Sequence, residues 1–86
     1  MKKEITRNQY EILRSLDSSG SNSFVKSLTI AEILTIMERD FKENTLQMYL
    51  KQLVQKHLVD FGAKAGKANS YFINENGKKL LQKCNE

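Results

Sequence analysis

Between Asn44 and Asp60 the chain reads NTLQMYLKQLVQKHLVD, and this stretch restricts the fold more than any other. Leu46, Tyr49, Leu50, Leu53 and Val54 recur at helical spacing, which places them in one apolar stripe. The opposite side of the same helix carries Asn44, Gln47, Met48, Lys51 and Gln55. That face offers amides, a thioether and a lysine, and no carboxylate. The period then changes, because Leu58-Val59-Asp60-Phe61 reads as a strand with almost no connection before it. A helix anchored by one face, neutral to basic on the other and running straight into a strand is compatible with few small folds.

Eighty-six residues are expected to form a single domain over 1–86. A chain of this size buries only about 60–65% of the surface it exposes when unfolded. Good helix caps are therefore needed, and the folded unit is expected to include a partner subunit. The net charge of +4 is uneven: residues 1–41 hold six basic and six acidic side chains, whereas residues 42–83 hold eight lysines against Glu43, Asp60 and Glu75. The basic half is the half with the helix and strand just described, and its asymmetry points to a polyanionic partner.

Other chemistry is sparse. One His and one near-terminal Cys, with scattered carboxylates, give no nucleophile motif, phosphate loop, zinc-ligand spacing or cofactor site, so an enzyme is not expected. Cys84 has no second cysteine to pair with, which fits a reducing compartment. The lysines of MKKEITRNQY are not followed by an apolar run, so no signal peptide or membrane span is expected and the reading is cytoplasmic.

Along the chain, Thr6 and Gln9 have the spacing of a capping box, flanked by Ile5 and Tyr10, and Ile12, Leu13 and Leu16 continue as a buried stripe until Asp17-Ser18-Ser19-Gly20. Phe24–Leu28 reads as a short strand or a segment packed on the core. Thr29 and Glu32 repeat the capping box for a second helix of about ten residues, with Ile30, Ile33, Leu34 and Met37 inward. The third helix starts at Asp40, answered by Glu43, or at Asn44, answered by Gln47, and Phe41 plugs the corner before it. Val59 and Phe61 alternate against Tyr71 and Ile73 as a hairpin around the Gly-, Ala- and Lys-rich segment 62–70. Asn74 caps a last helix with Leu80 and Leu81 inward, whose first turn contains Gly77 at a cost of roughly 1 kcal/mol relative to Ala.

The order helix, short strand, helix, turn, helix, hairpin, helix resembles a winged helix-turn-helix over about residues 5–83. Asp40-Phe41 through Thr45-Leu46, Leu50, Leu53-Val54 and Lys56-His57-Leu58-Val59 resemble the corresponding helix of the penicillinase-repressor family. Tyr71 through Leu81, reading YFINENGKKLL, is similar to the end of the wing in MarR-type and PadR-type regulators. The sequence departs from these families at His57, where they usually carry Gly, and in having no arginine in the loop of the wing.

The resemblance implies an α+β, mainly α fold with a three-helix core, a two- or three-stranded wing and a C-terminal helix. It also implies sequence-specific binding of double-stranded DNA by a small transcriptional regulator, a repressor by preference, acting as a homodimer. Asn44, Thr45, Gln47, Met48, Lys51 and Gln55 are then the groove-facing residues, with Asn44 and Gln47 suited to adenine edges and Met48 to a thymine methyl. Lys64, Lys67 and Asn69 are the wing contacts, and Leu80, Leu81 and Cys84 the expected dimer surface. The competing reading is a winged helix used for protein interaction, with Ile36, Met48 and Phe72 as contacts.

Overall fold

The computed structural model describes residues 5–37, 40–63, 66 and 69–84. Its first helix, α1 (Arg7–Ser18), begins where the capping box places it. The Thr6 side chain accepts from the Gln9 backbone N–H at 3.2 Å, and the Gln9 side chain accepts from the Thr6 N–H at 3.1 Å. The helix ends in a Schellman turn, with Ser21 N–H on the Leu16 carbonyl and Gly20 N–H on that of Asp17. Gly20 supplies the left-handed residue that this turn requires, at φ 81°.

After α1, Phe24–Lys26 makes a single 3-10 turn and Leu28–Thr29 the short strand β1. Only the strand half of the expected alternatives over Phe24–Leu28 is realised, since Phe24 and Val25 are 56% and 84% exposed instead of packing on the core. Helix α2 (Ile30–Ile36) opens on the second capping box. It is shorter than the ten residues expected, because Met37 leaves the helix with an extended backbone at ψ 138°. Ile36 and Met37 are both half-buried.

Helix α3 (Glu43–Gln55) starts at neither expected position. Its N-cap is Lys42, which makes no side-chain cap. Phe41 instead packs edge-on against Tyr49, with ring centroids 6.2 Å apart, so aromatic packing fixes the start of the helix where a polar cap was expected. Glu43 then lies in the first turn, favourable to the helix dipole.

Strand β2 (Val59–Phe61) and strand β3 (Ser70–Ile73) form the hairpin, and β3 is the middle strand of an antiparallel sheet ordered β1-β3-β2. Leu28 faces Tyr71 across one ladder, and Val59 faces Ile73 across the other. Buried Ser21 extends the lacing, its carbonyl accepting from Ile73 N–H and its hydroxyl donating to the Tyr71 carbonyl. Helix α4 (Glu75–Cys84) closes the fold, capped as expected by Asn74, whose side-chain oxygen accepts from Gly77 N–H at 3.0 Å.

One cluster of buried side chains joins the four helices to β2 and β3: Ile12, Leu13 and Leu16 of α1, Ile33 of α2, Leu46, Leu50 and Leu53 of α3, Val59, Tyr71 and Ile73 of the strands, and Leu80 and Leu81 of α4. The last two are the leucines expected at a dimer surface. Leu80 and Leu81 are 8% and 5% exposed within one chain, where α4 packs on α1 and β3. The side chain of Cys84 lies outside the described residues. Among the described residues, no helix is long and apolar enough to cross a membrane. The architecture is a winged helix-turn-helix, mainly α, with four helices and a three-stranded sheet among the described residues.

Candidate nucleic-acid interface

Helix α3 buries Leu46, Leu50 and Leu53 completely and turns the opposite face outward. Asn44, Gln47, Met48, Lys51 and Gln55 are all exposed, and with Gln52 they line one shallow hollow of about 290 Å³. Thr45 is half-buried on the flank of this face and does not line the hollow. Met48, 48% exposed, is the apolar member of an otherwise amide-and-lysine surface. Such a face offers donors and acceptors for base edges, a methyl-sized apolar contact and a cation for phosphate.

The exit of the helix is fixed with equal care. His57 N–H bonds the Val54 carbonyl and Leu58 N–H that of Leu53, a second Schellman turn. His57 adopts the left-handed conformation at φ 61° that glycine would take without cost. Two asparagines hold the carbonyl of this residue: Asn74 Nδ2 at 2.9 Å and Asn76 Nδ2 at 3.2 Å. Asn74 Nδ2 also donates to Asp60 Oδ2 at 3.2 Å, so one side chain joins the end of α3, β2 and the start of α4. Gly77 belongs to the same junction. A Cβ there would sit 2.5 Å from the Leu58 carbonyl oxygen and 2.6 Å from Ile73 Cγ1. The glycine that looked like a helix-weakening choice is what lets α4 approach the hairpin.

On the wing, Lys64 and Lys67 lie outside the described residues. Asn69 is exposed, and its side chain hydrogen-bonds Tyr71. Burial pushes the Tyr71 phenol above its ordinary 10.0, and the Asn69 bond opposes that rise. Phe61 stacks at a tilt on Tyr71, with centroids 5.3 Å apart, and keeps half of its own surface exposed. Among the described residues there is no cluster of three His, Cys, Asp or Glu side chains suited to a metal.

Sequence reasoning missed the flank of α3 that faces α1. Gln9 is 2% exposed, and its Nε2 donates to Gln52 Oε1 at 2.6 Å while its Oε1 accepts from Lys56 Nζ at 3.0 Å. One turn away Asn8 Nδ2 donates to the Tyr49 hydroxyl at 2.9 Å. Gln9 was visible as a capping residue, but nothing local to it reveals partners 43 and 47 positions on.

No family model and no curated protein sequence matches the chain. Solved structures do. TubR from Bacillus megaterium pBM400 superposes with a TM-score of 0.80 at 20% identity, over 94% of this chain and 87% of that one. The DNA-binding TubR fragment from Clostridium botulinum gives 0.73 at 24% identity, over 93% and 96%. MepR of Staphylococcus aureus, in its complex with DNA, gives 0.74 at 21% identity; 95% of this chain is covered and 63% of MepR. The backbone is thus shared with winged-helix regulators over nearly the whole length of this chain, and the fold of the chain is that of TubR and MepR.

Proposed function

We propose that the chain binds double-stranded DNA sequence-specifically, as a homodimer, and regulates transcription, with repression the favoured mode. The observation that carries this reading is the outward face of α3. Five side chains with groove-reading chemistry line one hollow, no carboxylate is among them, and the helix is clamped at its exit. The C. botulinum TubR fragment and MepR, which have this backbone, are DNA-binding proteins. In this reading Asn44 and Gln47 contact adenine edges, Met48 a thymine methyl, and Thr45, Lys51 and Gln55 the flanking bases and phosphates. Lys64, Lys67 and Asn69 contact the backbone from the wing. No catalytic role is assigned, and the working compartment is the cytoplasm.

Titration against mixed-sequence duplex DNA at several salt concentrations tests the proposal. For a dimer neutralising about six phosphates, log K falls with log salt at a slope near −5, at roughly −0.9 per phosphate. Absence of binding at low salt overturns it and transfers the surface to a protein partner.

A further inference from the structure

We infer that the Gln9–Gln52–Lys56 cluster is a positioning device that sets the roll of α3 about its own axis and, through it, the discrimination between DNA sequences. This rests on the DNA-binding reading above. Apolar contact holds a helix against a core without regard to direction, so a stripe of leucines alone leaves its roll soft. Base readout does not tolerate softness. A roll of about 10° moves a side-chain tip about 6 Å from the helix axis by about 1 Å, enough to break a hydrogen bond to a base edge.

Helix α3 has directional contacts on the flank between its core stripe and its outward face. Tyr49, Gln52 and Lys56 follow one another at helical spacing along that flank, and all three bond to the first turn of α1. Gln9 is the centre of the cluster. Its amide is buried, yet every polar atom is used: Oε1 by Thr6 N–H and Lys56, Nε2 by Gln52. A buried amide so engaged accepts few alternative arrangements, because any other roll leaves it unsatisfied. Gln52 and Lys56 are therefore positioning residues beside the groove-facing set, and Gln9 positions them from outside the helix.

The test separates this role from simple helix capping. Gln52→Met removes the acceptor for Gln9 and leaves the capping box whole; Gln52→Ala does the same if the thioether is not accommodated. Thr6→Ala removes the cap and leaves the clamp. Gln9→Glu keeps acceptors for Thr6 and Lys56 and lets the Gln52 amide turn to donate. Each full-length variant is presented with a pool of duplexes randomised at their centre, and the ratio of affinities for preferred and random duplexes is read.

The expected result is a fall of about tenfold in that ratio for Gln52→Met, together with a shift of the α3 residual dipolar couplings in the free protein, which loss of a direct contact to DNA would not produce. Thr6→Ala keeps the ratio while lowering the melting temperature, and Gln9→Glu keeps the ratio. An unchanged ratio in folded Gln52→Met and Gln52→Ala overturns the inference. So does an equal fall in Thr6→Ala, or a loss shared equally by all duplexes. Residual dipolar couplings of the α3 amides in the free protein read the roll without DNA: they shift in Gln52→Met and hold in Thr6→Ala. Failure of the parent chain to bind DNA with these couplings behaving as stated overturns the DNA reading, whereas couplings that do not move overturn the clamp.

Discussion

Single residues divide here into those that read, those that hold and those that permit a close approach. On the proposed function Gln47 contacts a base edge: truncation to Ala is expected to cost about 1–3 kcal/mol on the preferred duplex and to blur preference at one position, measured by competition between single-base variants of that duplex. His57 and Gly77 form an opposed pair. Replacing His57 by Gly relieves a left-handed backbone held at φ 61° and should raise stability by roughly 0.5–1 kcal/mol in urea unfolding. Replacing Gly77 by Ala drives a methyl into the Leu58 carbonyl and Ile73 and should lower stability by about 1–3 kcal/mol, despite the better helix propensity of Ala. Tyr71 carries a pH dependence. Its phenol ionises less readily in the folded chain than in the unfolded one, so the unfolded state loses its proton first as pH rises. The contribution is intact below 10.0 and is lost as pH climbs through the raised folded value; Tyr71→Phe should flatten that part of the alkaline unfolding curve.

Among the elements, helix and wing are expected to respond differently to mutation. Lys67→Ala should weaken binding to all duplexes alike and flatten the salt slope by about one unit, which a titration series separates from the selective loss at Gln47. Most elements were legible in the sequence for a local reason. Both capping boxes, the α3 stripe and the alternation of Val59 with Tyr71 and Ile73 are set by neighbours within a few positions or across one hairpin. What escaped depends on distant pairs. The start of α3 is set by Phe41 against Tyr49, which overrides the polar signals of Asp40 and Asn44. Gln52 was silent because its partner lies in α1, and Gly77 looked costly because the carbonyl it must avoid belongs to Leu58. The outward residues of α3 were legible except Thr45, whose place on the flank follows from how α3 leans on its neighbours.

At the scale of the whole molecule, the proposed homodimer makes two predictions. Leu80 and Leu81 pack in the core of one chain, as does Ile5. Leu81→Glu should therefore unfold the protein, since a carboxylate at a 5% exposed position costs several kcal/mol, and circular dichroism reads this directly. Light scattering on a palindromic duplex should find two chains bound; a single folded chain per duplex would sink the homodimer.

The placement of β3 between β1 and β2 also bears on how the protein comes into being during synthesis. A ribosome finishes α1, α2, α3 and β2 before it makes Ser70, when about four fifths of the chain already exists. Until then β1 and β2 have no strand to pair with, and Ser21 waits for backbone partners some 50 positions downstream. For that interval Leu46, Leu50 and Leu53 lack Tyr71, Ile73 and the α4 leucines, and have only the α1 and α2 members of their cluster to pack against. Helix α3 thus precedes in synthesis the strand and helix that complete its core. The sheet closes through its middle strand only when residues 70–81 emerge.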